Sequence, residues 1–302
     1  MKQALVKGGA ALLRAYYRHV PLTAGKRPVW HSVVGRLLSH AQDIPFEATT
    51  CFGARMHVRF PDTIQSFVYF FGVWEPAITA YLTQALMAGD TVIDIGANIG
   101  YDTLLASHLV GPSGRVHAIE ASPHVHRLLI ANLMLNPAGN VTAHHVAVCA
   151  LACSVPVFLH GAANLGGTTI VPAMARRRGA PLETTVPGLP LPAIVPEATI
   201  LDARLIKIDV EGAEWPVIQG FVHLLPRLSP RAELLIEVSA EGLRDHGMTI
   251  PAFLDVFRHA GFTPYVIGNR YDVDMYLEPG TAHPEKLTGT DFDQLDLLFR
   301  RE

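Results

Sequence analysis

From Thr91 onward, short apolar runs alternate with longer segments of helical periodicity, and this alternation restricts the fold more than any other feature of the sequence. Strands that alternate with helices are typical of a doubly wound, mainly parallel α/β sheet. After VIDIG, the expected strands are residues 115–120, 141–148, 154–160, 204–210 and 233–239. The expected helices are residues 123–136, 216–225 and 251–262. TPYVIGN and YDVDMYLE, joined by a short connection, would close the sheet as an antiparallel pair of strands.

Two regions fall outside this alternation. Residues 1–74 are predicted to form a helical and irregular N-terminal extension with a short hairpin around MHVRFPD, and residues 75–302 form the main domain. Residues 161–196 break the rhythm inside that domain, because they contain GAANLGG and several prolines. We expect them to form an irregular insertion over one edge of the sheet. Their Arg176–Arg178 run is interpreted as a solvated face, with recognition of an anionic substrate group as the alternative.

The composition indicates a globular protein with a large core. Hydrophobic residues make up 49% and charged residues 17% of the 302 positions. The net charge of -3 gives no reason to expect a nucleic-acid partner. The three cysteines (Cys51, Cys149 and Cys153) are too few and too irregularly spaced for a disulfide framework or a zinc cage. A reducing, cytoplasmic compartment is therefore expected.

The first 22 residues resemble an amphipathic helix with a basic side. Lys7, Arg14 and Arg18 interrupt its apolar residues, so we expect neither a transmembrane span nor a secretory signal. The helix is predicted to pack on the domain, and a weak contact with a membrane surface is the alternative.

The stretch VIDIGANIGYDTLLA, residues 92–106, predicts a strand, a glycine-rich turn and a helix. In a doubly wound sheet, ligands lie beyond the carboxyl ends of the strands, where this turn is expected. A dinucleotide turn needs a glycine where Asn98 stands, because the backbone must approach a pyrophosphate there. A phosphate-binding loop needs a lysine after Gly100, and none follows. The turn therefore favours a nucleoside without phosphates.

Two carboxylates flank this turn. Asp94 comes before it and suits a ligand with an amino group or a positive charge, such as the methionine part of S-adenosylmethionine. Glu120 ends the next strand, twenty residues after Gly100, and a carboxylate there can accept both ribose hydroxyls. Together they indicate S-adenosylmethionine as the cofactor.

These motifs occur together, in the same order, in a known family. From roughly Glu75 to Ser239 the chain resembles the FkbM-type methyltransferases in IDIGANIGYDTLLA, RVHAIEASP, GAANLGGTTIV, LIKIDVEGAEWPVIQG and LLIEVS. IKIDVEGAE is the most specific of these matches. The resemblance implies the seven-stranded class I methyltransferase fold. It also implies an S-adenosylmethionine-dependent enzyme that usually methylates oxygen on sugars, polyketides or related metabolites.

The resemblance also assigns residues to the site. Those that match cofactor-side positions are Glu75, Asp94, Gly96, Asn98, Gly100, Glu120 and Asn164. Those that match acidic positions near the transfer site are Asp209, Glu211, Glu214 and Glu237. The chain departs from the family at Ser239, where a histidine is common. It also departs in the proline-rich residues 181–196, which replace a usual strand.

The acidic residues after LIKI suggest the chemistry of methyl transfer. Asp209 and Glu211 point to the same side at a strand end, and Glu237 would be costly to bury without a partner. In the strand order of class I methyltransferases, Asp94, Asp209 and Glu237 converge on one crevice. We predict Asp209 as the base or the acceptor-positioning residue, supported by Glu211 and Glu237. A divalent cation on Asp209 and Glu237, or a structural ion-pair network with Lys207, are the alternatives.

The sequence thus predicts methylation of a hydroxyl on a small or medium metabolite. An NAD-dependent oxidoreductase is the first alternative, and Asn98 counts against it. The second alternative is a non-catalytic nucleoside-binding partner subunit, against which the joint presence of Asp94, Glu120 and Asp209 counts.

Overall fold

The computed structural model describes residues 2–20, 23, 25–41, 44–161, 163–278 and 283–302. The strands in these residues are β1 (Pro45–Thr49), β2 (Arg55–Arg59), β3 (Thr91–Ile95), β4 (Arg115–Glu120), β5 (Val141–His145), β6 (Ala147–Val148), β7 (Cys153–Phe158), β8 (Leu182–Leu189), β9 (Leu205–Ile208), β10 (Glu233–Ser239), β11 (Thr263–Ile267), β12 (Glu285–Lys286) and β13 (Gln294–Arg300).

The central sheet has the strand order β12-β11-β13-β10-β9-β3-β4-β5. Strands β5, β4, β3, β9 and β10 run parallel, and β13 runs antiparallel to both β10 and β11. The mainly parallel α/β fold is therefore confirmed. Within the described residues, seven longer strands and the two-residue edge strand β12 form this sheet.

Helices connect the strands. The α-helices are α1 (Lys2–His19), α2 (Lys26–Val29), α3 (Gly35–His40), α4 (Thr63–Phe71), α5 (Pro76–Ala85), α6 (Tyr101–Val110), α7 (Pro123–Met134), α8 (Pro172–Arg178), α9 (Leu191–Ile194), α10 (Glu197–Asp202), α11 (Glu214–Gln219), α12 (Ala240–Asp245), α13 (Ile250–His259) and α14 (Val273–Leu277). In the described part of the chain, the other helical segments are a π-helical turn (Trp30–Val34) and two 3₁₀ helices (Leu165–Gly167 and Val222–Arg227). Ser122 caps α7 as predicted, because its hydroxyl accepts a hydrogen bond from the Val125 amide.

The sheet is buried on both faces. Neighbouring residues on one strand point to opposite faces, and Val92 and Ile93 of β3 accordingly enter two separate apolar cores. Leu205 and Ile206 of β9 divide in the same way. This arrangement explains why the central strands are continuous apolar runs rather than alternating ones.

The predicted closing strand YDVDMYLE is wrong. Asp272 accepts a hydrogen bond from the Met275 amide and thereby begins α14. The antiparallel partners of β11 are instead the two-residue strand β12 and the longer strand β13. The predicted strand at residues 141–148 is also interrupted at Val146, because β5 belongs to the central sheet whereas β6 joins a second sheet. The predicted helix at residues 216–225 consists of α11 and a 3₁₀ helix.

Residues 161–196 are more regular than predicted. They contain a 3₁₀ helix, α8, β8 and α9. Strand β8 lies between β6 and β7 in a three-stranded sheet, so the supposed loss of a strand in this stretch is corrected as well. Strand β6 pairs with β8 at Gly188 and Leu189 but does not extend to Pro187. At Pro187, β8 therefore has β7 as its one neighbouring strand among the described residues. The amide that proline lacks is not needed there.

The N-terminal residues pack on the domain. The Arg18 guanidinium at the end of α1 donates to the carbonyls of Val68, Tyr69 and Phe70, and so caps the carboxyl end of α4. The predicted hairpin is formed by β1 and β2. No helix in the described ranges is long and apolar enough to cross a membrane.

Candidate active site

A cavity of about 440 Å³ opens at the carboxyl ends of the central strands. Strands β3, β4 and β10 contribute Ile95, Glu120 and Glu237, and Asp209 follows β9. Most of the predicted site residues line it: Glu75, Gly96, Asn98, Glu120, Asn164, Asp209, Glu211 and Glu237. Asp94 and Gly100 are not lining residues, although both shape the turn beside the cavity.

Gly96 allows two strand ends to meet. Its φ angle is 87°, and a Cβ built there would lie 1.8 Å from the carbonyl oxygen of Asp209. The amides of Gly96 and Ala97 both donate to the Ile119 carbonyl, at 2.9 and 3.0 Å. The turn after β3 is thus fastened to β4 while it passes directly against the chain after β9.

The second half of the turn leads into α6. Asn98 has a φ of 50°, and its side-chain oxygen accepts a hydrogen bond from the Ile99 amide at 2.8 Å. Asparagine tolerates this left-handed conformation better than most residues. Gly100 has a φ of 92° and begins α6, and a Cβ there would meet Leu129 at 2.6 Å.

Glu120 is buried at the cavity edge with both carboxyl oxygens in use. Oε2 accepts from the Asn98 amide at 3.0 Å, and Oε1 accepts from the Ser122 amide at 2.8 Å. Burial raises the pKa of Glu120 to about 7, against the lowering effect of these hydrogen bonds. Each carboxylate oxygen can accept more than one hydrogen bond, so ribose hydroxyls can still be accepted.

Lys207 forms the centre of a buried ion network. Its ammonium lies 3.1 Å from Asp102 Oδ2 and 3.0 Å from Asp209 Oδ2. Asp94 accepts from the Thr103 hydroxyl through Oδ2, whereas its buried Oδ1 has no hydrogen-bond partner. Burial raises the pKa of Asp94 to about 6, and Lys207 opposes that rise. An ion pair between Lys207 and Asp209 is thus present beside the cavity.

The three carboxyl groups predicted for the transfer site meet in space. Asp209, Glu211 and Glu237 each offer an oxygen within 4.8 Å of the others, a spacing that could hold a metal ion. Burial raises the pKa of Glu237 well above its usual value, and Asp209 and Glu211 raise it further. Burial likewise raises the pKa of Glu211 to about 7.

Arg178 is part of this cluster, contrary to the prediction of a solvated arginine face. Its guanidinium lies 2.7 Å from Glu211 Oε2 and donates to the Gly167 carbonyl at 3.1 Å. Arg177 behaves differently, because it pairs with Glu241 and Asp245 on the outer side of α12. The last turn of α8 therefore supplies one cation to the cavity.

Tyr271 links two carboxyl groups that are distant in the sequence. Its hydroxyl lies 3.0 Å from Glu75 Oε1 and 2.9 Å from Glu237 Oε1. A phenol has one hydrogen, so at most one of these contacts uses it; the other needs a protonated carboxyl as donor. Burial raises the pKa of Glu75 well above its usual value, and its buried Oε2 has no hydrogen-bond partner.

Asn164 and Glu214 differ in their relation to the cavity. Asn164 lines it, and its side chain lies beside Gly166 and Gly167. Glu214 lies in the first turn of α11 and accepts from the Gly212 amide at 2.8 Å, outside the cavity lining. Burial raises the pKa of Glu214 to about 8.

Several residues of this site lie outside the set predicted from the sequence. Those that were not predicted are Asp102, Arg178, Asn269 and Tyr271. A carboxylate in the first turn of α6 could have suggested Asp102, because it follows the glycine-rich turn directly. The contacts of Tyr271 and Asn269 with Glu75 join residues about two thirds of the chain apart, and no local pattern indicates them.

The sheet order and the glycine-rich turn after β3 define the class I methyltransferase fold. The FkbM methyltransferase domain matches residues 94–264, which is more than half of the chain. The chain belongs to the FkbM methyltransferase family.

Curated relatives match shorter parts of the chain. Protein-L-isoaspartate O-methyltransferase of Ignicoccus hospitalis is 29% identical over 114 residues, which cover 32% of this chain and 54% of that protein. Arsenite methyltransferase of Halobacterium salinarum is 37% identical over 57 residues, which cover 19% of this chain and 15% of that protein. The chain thus matches about half of the first relative and less of the second.

Among solved structures, the methyltransferase FkbM of Methylobacillus flagellatus is similar with a TM-score of 0.43 and 15% identity. The similarity covers 79% of this chain and 54% of that one.

Proposed function

We propose that the protein transfers a methyl group from S-adenosylmethionine to a hydroxyl of a small or medium polyhydroxylated metabolite such as a sugar or a polyketide. The observation that carries this proposal is that carboxyl groups outnumber cationic side chains in the cavity beside the glycine-rich turn after β3. The carboxyl groups that line the cavity are those of Glu75, Asp102, Glu120, Asp209, Glu211 and Glu237. The cationic side chains that line it are those of Lys207 and Arg178.

This charge balance favours a cationic cofactor. S-adenosylmethionine has a sulfonium and an ammonium group, both of which carboxylates attract. The pyrophosphate of NAD would instead bring negative charge into a cavity with more acids than bases, and Asn98 stands where a dinucleotide turn needs glycine. The alternative of an NAD-dependent oxidoreductase is therefore disfavoured on two independent grounds.

The cavity also supports a direction for the cofactor. Glu120 lines the cavity and can accept the ribose hydroxyls, and the apolar residues Ile119 and Val148 also line it and suit the adenine ring. The methionine part then extends past Gly96 toward Asp102 and Asp209. The methyl group would reach the cavity at the carboxyl cluster, where an acceptor hydroxyl can be aligned for in-line displacement.

We propose Glu237 as the group that accepts the hydroxyl proton. A carboxylate with a raised pKa is a better base near neutral pH, and burial raises the pKa of Glu237. Asp209, the residue favoured from the sequence, already has Oδ2 against Lys207 at 3.0 Å, so it suits positioning of the acceptor. Tyr271 and Glu211 complete the surroundings of the base.

A divalent cation is the alternative to this base. Three carboxylates within 4.8 Å offer the oxygen ligands that Mg²⁺ and Ca²⁺ prefer. Lys207 and Arg178 already lie against Asp209 and Glu211, however, and supply positive charge to the same cluster. We therefore propose a reaction that needs no added metal.

Two measurements test the proposal. Calorimetry with S-adenosylmethionine and with NAD should give binding of the first alone, and tight binding of NAD alone would contradict the cofactor assignment. A cofactor-consumption screen over hydroxylated metabolites, with and without magnesium, then identifies the acceptor. Cofactor binding without turnover of any acceptor would favour the non-catalytic nucleoside-binding subunit.

The free thiols Cys51, Cys149 and Cys153 fit a cytoplasmic location, which we also propose.

A further inference from the structure

The sulfur atoms of Cys149 and Cys153 lie close together, away from the carboxyl cluster of Asp209, Glu211 and Glu237. The two Sγ atoms lie 3.6 Å apart, and neither cysteine is in a disulfide. Cys149 directly follows β6, and Cys153 is the first residue of β7. The pair therefore spans the turn between two strands that both flank β8.

The space for this meeting comes from Gly188 of β8. Gly188 is paired with Ala147 on one side and with Cys153 on the other. A Cβ built on Gly188 would lie 2.8 Å from the Cys149 sulfur and 3.3 Å from the Cys153 sulfur. The built Cβ would also lie 2.4 Å from Val155 Cγ2, so glycine leaves the space in which Val155 and the two sulfurs pack.

The two thiols have different surroundings. Cys153 is exposed, whereas Cys149 is buried and its thiol donates to the Leu151 carbonyl at 2.9 Å. Burial raises the pKa of the Cys149 thiol to about 11, and the neighbouring Cys153 contributes to the rise. Because the thiolate is the reactive form, an oxidant in solution would meet Cys153 first and Cys149 only through Cys153.

We propose that Cys149 and Cys153 are a redox-active dithiol that closes to a reversible disulfide when a hydroperoxide oxidises Cys153. The Cys153 thiolate attacks the peroxide, so that an S–O bond forms, the O–O bond breaks and the alcohol leaves with a proton. The Cys149 sulfur then attacks the Cys153 sulfur. An S–S bond forms, the S–O bond breaks, and hydroxide leaves with the Cys149 proton as water. A small thiol reverses the process by disulfide exchange.

Closing this bond acts on the cofactor cavity. The sulfurs must shorten their separation from 3.6 Å to about 2.05 Å, which pulls the residue after β6 toward β7. Ala147 and Val148 of β6 both line the cavity, on the side where we propose that adenine binds. A change in the bonding of Cys149 is therefore transmitted to the wall through the adjacent residue.

The test of the disulfide needs no cofactor. The full chain treated with tert-butyl hydroperoxide should lose the mass of two hydrogens, regain it with dithiothreitol, and give a peptide linking Cys149 to Cys153. Cys51→Ser is the matched control, because it removes the third cysteine and should leave this reaction intact. Cys149→Ser should instead accumulate a dimedone-reactive sulfenic acid at Cys153. Oxidation of the wild type to sulfinic acid at Cys153, or links through Cys51 alone, would overturn the proposal.

The effect on the cavity is measured by calorimetry with S-adenosylmethionine and rests on the proposed function. The disulfide form should bind the cofactor at least about threefold more weakly than the reduced form, and treated Cys153→Ser should bind like untreated Cys153→Ser. Equal affinity of the two wild-type forms would overturn the coupling to the cavity. Absence of binding to the reduced wild type would contradict the proposed cofactor instead.

Discussion

The backbone carbonyl of Asp209 occupies the space that a side chain on Gly96 would need, since a Cβ there would come within 1.8 Å of the carbonyl oxygen. The turn after β3 and the segment that carries the acidic cluster are thus in backbone contact. The proposed cofactor side and the proposed acceptor side of the cavity therefore meet where Gly96 has no Cβ.

Replacement of Gly96 by alanine should separate these two backbones. We expect a cofactor affinity lower by more than about tenfold, equivalent to ~1.4 kcal/mol, together with a lower melting temperature. Gly53→Ala is the matched control, because Gly53 has the same φ of 87° and nothing within 4 Å of its built Cβ. Equal losses in the two variants would show that the left-handed conformation alone, and not the contact with Asp209, matters.

Glu120→Ala should weaken the binding of S-adenosylmethionine by about 1–3 kcal/mol, because the hydrogen bonds to the ribose hydroxyls are lost. Calorimetry measures this, with Glu47→Ala as a control at an exposed carboxylate that pairs with Arg55. An unchanged affinity would contradict the assignment of Glu120 to the ribose. Melting curves without cofactor separate this effect from the loss of the Asn98 and Ser122 hydrogen bonds.

Cofactor binding should release protons. In the free protein the pKa of Asp94 is about 6 and that of Glu120 about 7, both raised by burial. Nearby positive charge lowers the pKa of a carboxyl group, so affinity should rise between about pH 6 and pH 8. Calorimetry in buffers of different ionisation enthalpy counts the protons, and Asp94→Asn should reduce the count. A pH-independent affinity would contradict binding of a cation.

The same carboxyl groups should make the cofactor-free protein less stable as the pH rises. A pKa that is higher in the folded state contributes stability below the unfolded value of about 4, and this contribution is lost as the pH rises through about 6 to 7. The rise in melting temperature on addition of S-adenosylmethionine should thus be larger at about pH 8 than at about pH 6. Asp94→Asn should reduce this difference.

Tyr271→Phe should impair proton transfer to Glu237 rather than cofactor binding. Loss of a hydrogen bond of ~1–1.5 kcal/mol should lower kcat by about tenfold. The hydrogen bond favours the ionised carboxylate, so its loss should move the acidic limb of the pH–rate profile to higher pH. Tyr265→Phe is the control, because the Tyr265 hydroxyl contacts Glu302 at the far end of the chain. An unmoved acidic limb would exclude this role for Tyr271.

The histidine pair on β4 and β5 should weaken the fold in acid. His117 Nδ1 lies 3.2 Å from His144 Nε2, and burial followed by His144 lowers the pKa of His117. A lowered pKa means that stability is lost as the pH falls through the unfolded value of about 6.5. Urea unfolding at about pH 7.5 and about pH 5 should show a smaller loss for His144→Gln than for the wild type. The exposed His259→Gln should behave like the wild type.

Local sequence was sufficient for the turn and the parallel strands. One continuous strand–turn–helix–strand segment, from β3 to β4, contains the two glycines with positive φ, Gly96 and Gly100, and the carboxylate of Glu120. The prediction of a closing strand at YDVDMYLE is wrong because the hydrophobic pattern of this segment suits both a strand and a helix. Asp272 as an N-cap favours the helix. The longer of the two partners of β11 is β13, and its position between β10 and β11 is specified by no local pattern.

Fewer contacts could be predicted on the proposed acceptor side of the cavity. The convergence of Asp209 and Glu237 followed from the expected strand order, but the contacts of Glu75, Tyr271 and Arg178 did not. The charge of the Arg176–Arg178 run predicts a solvated face, whereas Arg178, in the last turn of α8, contacts Glu211. Tertiary packing decides such contacts, and burial then determines the protonation of the groups involved.

The residues that line the cavity come from more of the chain than the matched family domain. Trp74 and Glu75 precede residue 94, and Tyr271 and Gln294 follow residue 264, yet all four face the same space as the glycine-rich turn. Substitutions at these flanking positions would therefore change the lining of the cavity and leave the glycine-rich turn after β3 unaltered.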